Sequence, residues 1–185
     1  MSVVIVSRKY ARALYEISEE KDISEQVLKA LEEIQSILEK EQLIQYLATP
    51  LLEKESKKEL CNRVLEQVNL KKEVFVTLQN FMFLLIEKKR IDLIAGICEE
   101  FRHIYHYNRN IQEVEVITPD GLSTEQKERM VAIMEEFTQK KVLVEERQDQ
   151  NLVGGIKIII GTRVLDGSVP ARLERIKENL QKPAG

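Results

Sequence analysis

Apolar residues in the first half of the chain recur at three- and four-residue steps. Val3, Val6, Tyr10, Leu14 and Ile17 fall on one helical face, as do Val27, Leu31, Ile34 and Leu38 in the next segment, because about 3.6 residues complete a helical turn. Asp22 and Ser24 are the candidate caps of that second helix. A short helix over residues 42–47 has to stop before Pro50, since the residue preceding a proline is pushed out of helical geometry. Residues 53–68 predict a fourth helix with Leu60, Val64 and Leu65 inward and Asn69 as its stop. Residues 74–86 differ in kind. They are apolar nearly all round, the pattern of a helix central to a bundle, or of one with a face for the core and another for a partner. A sixth helix turns Ile91, Ile94, Cys98, Phe101 and Tyr105 inward and ends near residues 108–110.

Beyond that point the period changes. Glu113-Val114-Glu115-Val116 alternates as a half-buried strand does, and Thr118-Pro119-Asp120-Gly121 is a turn. Ser123 and Gln126 have capping-box spacing and open a helix with Met130, Ile133, Met134 and Phe137 on one side. Residues 142–146 predict a second strand, and Ile156, Ile158 and Ile160 a third. Gly161-Thr162 makes a tight hairpin turn into a fourth strand at residues 163–165. Ser168 caps a last helix, with Pro170 tolerated in its first turn and Val169, Leu173, Ile176 and Leu180 as its stripe. The expected architecture is mainly α: a six-helix bundle over residues 1–108, then a small α/β domain over residues 109–185 with a mixed sheet in the order βαβββα.

Composition narrows the function. Net charge is −3, so no global basic field exists for a phosphate backbone, and a nucleic-acid platform or a helix-binding adaptor is left as the alternative reading. Charged residues make up 32% of the chain, which suits amphipathic helices with solvated outer faces. Cys61 and Cys98 sit in apolar helical patterns and are expected to be buried free thiols. Arg8, Lys9 and Arg12 interrupt any N-terminal apolar run, and the 74–86 window falls short of the roughly 20 residues a membrane span needs. No signal peptide, transit peptide or membrane insertion is expected.

Catalytic patterns are missing. Neither a Walker-type loop nor G-x-G-x-x-G occurs. Gly154-Gly155 precedes a strand rather than a helix, which suits a strained turn or a close backbone approach better than a phosphate cradle. His103 and His106 lie three apart near a helix end, where capping the last carbonyls is the simpler role; no further ligand pair completes a metal site. Asp166-Gly167-Ser168 reads as a strand end followed by a helix cap. Lys88-Lys89-Arg90 reads as a solvated corner. No catalytic residue, cofactor or metal is expected.

Three motifs in order resemble one family. Arg8-Lys9-Tyr10-Ala11-Arg12-Ala13-Leu14-Tyr15 is similar to an opening Y-A-x-A-L helix. Asn80-Phe81, Leu84-Leu85, Glu87, Arg90 and Ile91 are similar to N-F-x-x-L-L-x-E-x-x-R-hydrophobic, with Lys88 standing where asparagine is common. Gly154-Gly155-Ile156, Ile160-Gly161 and Asp166-Gly167-Ser168, then Leu173, are similar to G-G-I…I-G…D-x-S…L. Together they resemble the δ subunit of bacterial F-type ATP synthase, whose mitochondrial counterpart is the oligomycin-sensitivity-conferring protein.

The resemblance implies a non-catalytic stator component, peripheral on the cytoplasmic face of the bacterial plasma membrane. It holds the catalytic head still against rotor torque so that ion translocation stays coupled to ATP synthesis. It implies that the N-terminal bundle binds the N-terminal segment of an α subunit in a groove between the first and fifth helices, and that the C-terminal domain engages the b subunits of the peripheral stalk. The groove residues carried over are Tyr10, Ala13, Leu14 and Ile17 on the first helix and Phe81, Leu84, Leu85 and Lys88 on the fifth. On that basis Leu14→Asp or Leu85→Asp is expected to weaken binding of the α segment. Gly154, Gly155, Gly161, Asp166, Gly167 and Ser168 are expected to shape the fold.

Overall fold

The structure, a computed structural model, describes residues 3–174. The chain is mostly helical with a small mixed four-stranded sheet, and it divides into two compact units, Met1–Tyr105 and His106–Gly185. Its helices are α1 (Val3–Glu20), α2 (Ser24–Lys40), α3 (Leu43–Ala48), α4 (Lys54–Gln67), α5 (Lys72–Glu87) and, after a 3-10 turn at Ile91–Leu93, α6 (Ile94–Asn108). The last turn of α6 therefore belongs to the second unit.

One apolar cluster joins the helices of the first unit. Leu14 and Tyr15 of α1, Leu31 and Ile34 of α2, Leu65 of α4, Leu78 and Leu85 of α5 and Phe101 of α6 are buried in it. Tyr15 meets Phe101 edge to face at 5.8 Å between centroids. Gly96 lets α6 approach α1: a Cβ there would lie 3.0 Å from Ser7 Oγ.

The cap expected at Asp22 and Ser24 is corrected. Asp22 takes φ 54° and terminates α1 instead, with its own N–H donating to the Glu19 carbonyl and the Ile23 N–H to the Ser18 carbonyl. That pair of bonds is a Schellman stop. The N-cap of α2 is Ile23, without a side-chain hydrogen bond, and Ser24 is buried. The same device ends α5: Lys89 takes φ 54°, its N–H donates to the Ile86 carbonyl, and the Arg90 N–H donates to the Leu85 carbonyl at 2.8 Å.

The second unit contains β1 (Ile111–Thr118), α7 (Thr124–Thr138), β2 (Lys141–Gln148), β3 (Lys157–Ile160) and β4 (Arg163–Asp166). The sheet order is β2-β1-β3-β4, with β1 parallel to β2 and antiparallel to β3, and β3 antiparallel to β4. Val114 pairs with Val144 and Ile160, and Val116 with Ile158. This register brings alternate apolar residues onto one face, where Met134 of α7 covers them. Ser123 and Gln126 close a capping box at the start of α7. Residues 169–174 are helical; Ile176 and Leu180, expected on that helix's stripe, lie outside the described residues.

Candidate functional site

Helices α1 and α5 run antiparallel along a shared seam. The Tyr10 ring meets the Phe81 ring edge to face, with centroids 6.4 Å apart. Just past the end of α1, Lys21 Nζ donates to Thr77 Oγ1, one turn nearer the start of α5. Tyr10 also holds the far end of α5. The Schellman stop at Lys89 turns the chain back, so that the Arg90 guanidinium lies over the Tyr10 ring at 5.6 Å and donates to its hydroxyl at 3.2 Å. Cation, ring and ring thus stack into one strut.

The eight carried-over residues separate by depth. Ile17 is 46% exposed and Leu84 40% exposed. Ala13 and Lys88 are exposed and Tyr10 is half-buried. Phe81 is buried and, through its contact with Tyr10, forms the floor of the seam. Leu14 and Leu85 are 2% and 0% exposed, on the core side of their helices. An aspartate at either position tests folding rather than docking, because it buries a charge.

Helical pitch orders the rest. Tyr10, Ala13 and Ile17 follow one another at three and four residues, so they line one edge of α1, and Val6 extends that edge by one turn. On α5, Lys88, Leu84 and Asn80 step back by fours along the edge beside Phe81 and Thr77. Val6 and Asn80 were not among the expected residues. The signal for both was present, since each continues a chosen edge by one further i±4 step.

In the second unit the two glycine motifs form a single joint. Gly155 takes φ 89°, and a Cβ there would lie 2.6 Å from the Gly167 carbonyl oxygen and 2.8 Å from Ser168 Cα. Around this contact the Gly167 N–H donates to the Ile156 carbonyl and the Val169 N–H to the Gly154 carbonyl. Asp166 Oδ1 accepts the Ser168 N–H, and Ser168 Oγ accepts the Ala171 N–H at 3.3 Å. Gly161 takes φ 57° in the two-residue turn between β3 and β4, where Ile160 pairs with Arg163. A cavity of about 760 Å³ beside this joint has mostly apolar walls, among them Ile156, Ile158, Val164 and Leu165.

Side chains with reactive potential are occupied elsewhere. Burial pushes the Cys61 thiol up to about 12 and the Cys98 thiol up to about 11, so neither is a thiolate near neutrality. His106 engages a carboxylate where carbonyl capping was expected: its Nδ1 lies 2.8 Å from Glu113 Oε1. His103 Nε2 sits 3.9 Å from Glu99 on the α6 surface. Among the described residues no group of three or more His, Cys, Asp or Glu side chains is placed to hold a metal, and no helix is long and apolar enough to cross a membrane.

Comparison with known proteins places this architecture. The family model described as ATP synthase delta (OSCP) subunit matches residues 6–180. The chain belongs to this family. Among the curated relatives of this delta/OSCP chain, ATP synthase subunit delta of Desulfosudis oleivorans is 32% identical, with the match covering 98% of each chain. The same subunit of Bacillus cytotoxicus is 33% identical, covering 98% of this chain and 99% of that one. A chain in the cryo-EM structure of the Toxoplasma gondii mitochondrial ATP synthase hexamer has the same fold, with a TM-score of 0.73 at 18% identity over 96% of this chain and 98% of that one.

Proposed function

We propose that this delta/OSCP chain is a non-catalytic stator component of F-type ATP synthase, joining the catalytic head to the peripheral stalk and resisting rotor torque so that ion translocation drives ATP synthesis. Residues 1–108 act as a six-helix bundle that binds the N-terminal segment of an α subunit in the groove between α1 and α5. Residues 109–185 act as the βαβββα domain that engages the b subunits. The chain works at the cytoplasmic face of the bacterial plasma membrane as a peripheral member of the complex.

The observation that carries the head-binding half is the exposed edge of the α1/α5 seam. Ile17 and Leu84 stand about half out of the core on facing edges, over a floor made by Phe81. Amphipathic helices bind such surfaces through a few apolar anchors at helical pitch. Nanomolar binding corresponds to about −12 kcal/mol, and a second contact with the stalk adds avidity where both partners are reached together.

The test is isothermal titration of the full chain with the N-terminal segment of the α subunit and, separately, with the C-terminal segment of the b subunits. Saturable 1:1 binding of each, with neither displacing the other, is expected. Absence of binding to the α segment, or competition between the two, overturns the assignment.

A further inference from the structure

We infer that Asp120 is a site of spontaneous covalent modification. Its side chain and the Gly121 amide close to a cyclic imide that reopens as isoaspartate, while the fold protects the second Asp-Gly pair, Asp166-Gly167.

The chain contains these two Asp-Gly pairs and no Asn-Gly pair. Glycine favours the reaction because it has no Cβ to obstruct its own amide nitrogen as it approaches the aspartyl side chain. That nitrogen attacks Cγ of the protonated carboxyl. An N–Cγ bond forms, the Cγ–OH bond breaks, and the hydroxyl leaves with the amide proton as water. The imide then takes up water at one of its two carbonyls. Addition at Cγ restores aspartate. Addition at the main-chain carbonyl breaks the original peptide bond and leaves the chain running through Cβ and Cγ. Water is the one co-reactant, and the net step is an isomerisation at constant mass.

Ring closure requires the Asp-Gly peptide plane to rotate, so the hydrogen bonds that fix the plane govern the rate. At Asp120 the fold holds it lightly. The residue is exposed in the turn between β1 and α7, and among the described residues its carboxylate takes part in no hydrogen bond or ion pair. The Gly121 N–H donates to Thr118 Oγ1 at 3.1 Å, and that bond must break. At Asp166 the same unit is locked. The Gly167 N–H donates to the Ile156 carbonyl at 2.9 Å, and Asp166 Oδ1 accepts the Ser168 N–H at 2.9 Å. Asp166 also pairs with Lys157 at the end of β4, and the Gly167 carbonyl is packed against Gly155. Two bonds and a ladder position against one bond make the difference about tenfold in rate.

The product does not fit in place. Gly121 takes φ 85°, and a Cβ there would lie 2.8 Å from both Glu146 Oε1 and Gln148 Nε2. The same Glu146 oxygen accepts the Leu122 N–H. An extra methylene in the main chain at 120 therefore moves Leu122 off Glu146 and loosens the entry to α7.

The test ages the full chain in warm, mildly acidic buffer and maps isoaspartate by digestion and electron-transfer fragmentation, which tells the two isomers apart at equal mass. Isoaspartate is expected at residue 120 about tenfold faster than at residue 166. In denaturant, where neither site has structure, the two rates should converge. Equal rates in the folded chain, faster reaction at 166, or no reaction at 120 while the denatured chain reacts there each overturn the inference. A second arm uses Asp120→Asn, in which the same imide forms with loss of ammonia and is read as the mass gain of deamidation. Deamidation in the folded variant is expected, and its absence refutes ring closure at this turn. In the isoaspartyl fraction of the native chain the Leu122 amide should exchange faster than in the fresh chain, with α2 and α5 unchanged; unaltered Leu122 exchange overturns the displacement.

Discussion

Replacing Ile17 and Leu84 together by alanine is expected to weaken binding of the N-terminal segment of the α subunit about thirtyfold while leaving the fold intact. Ile17 retains 46% of its surface in the free chain and Leu84 retains 40%. Full burial of a leucine or isoleucine is worth about 1.5–3 kcal/mol, so covering the remaining fraction contributes about 1 kcal/mol at each position. The sum, about 2 kcal/mol, corresponds to roughly thirtyfold in Kd. The control comes from residues next to the anchors or one turn before them. Leu14→Ala and Leu85→Ala remove side chains that are 2% and 0% exposed and should cost about 2–5 kcal/mol of stability through the cavities they leave. Titration calorimetry reads the first effect and thermal melting the second. Native-like affinity in Ile17→Ala/Leu84→Ala with an unchanged Tm refutes the assignment of these edges as the docking surface.

Gly155→Ala should destabilise the second unit by about 1–3 kcal/mol, since the added carbon meets backbone at 2.6 Å; faster amide exchange across β3 and β4, with α2 and α5 unchanged, is the expected readout. Ser7 Oγ is buried without a hydrogen-bond partner among the described residues, so Ser7→Ala should stabilise the first unit by up to about 1 kcal/mol and raise Tm by a few degrees. A lower Tm would contradict an unpartnered hydroxyl. The Glu146 carboxyl is held below its ordinary range first by the Lys127 ammonium and then by the Leu122 N–H. A depressed carboxylate contributes stability in full above its unfolded pKa and loses it as pH falls through the lower folded value. Melting of the second unit should therefore become acid-sensitive below about pH 4, and Glu146→Gln should flatten that dependence in a Tm–pH series.

Much of the fold was legible because each local signal had a single reading. The period switch from 3.6 to 2 after α6 marked where strands begin, and Ser123 with Gln126 and the turn at Gly161 marked local geometry that depends on few residues. The misplaced cap at Asp22 has a physical cause. An aspartate between two helices serves equally as an N-cap for the second or as a left-handed stop for the first, and the hydrogen bonds of Ile23 and Asp22 back to α1 decide for the stop. The Gly154-Gly155 and Asp166-Gly167-Ser168 motifs gave no hint that they touch. Their contact depends on the β3–β4 hairpin folding one against the other, which is a long-range consequence of register.

The groove residues were harder because α5 is apolar on nearly every side, and its period alone names no outer face. The neighbours supply the missing reference. One side of α5 is taken up by α4, where Gln79 Nε2 donates to Asn62 Oδ1 and Lys58 lies over the Phe83 ring. Leu78, Met82 and Leu85 face the core. Phe81 faces Tyr10 of α1. With those directions assigned, Leu84 lies three residues past Phe81, on the α1 side. It stays 40% exposed there. Leu85, its neighbour in the same motif, points inward through a 100° rotation and carries stability instead. The pair Leu84-Leu85 thus puts an exposed and a buried leucine at adjacent positions. Ala13-Leu14 on α1 is divided in the same way, with Ala13 exposed and Leu14 buried. A motif that records both halves of each pair cannot separate surface from core; the packing of α5 against α1 and α4 can.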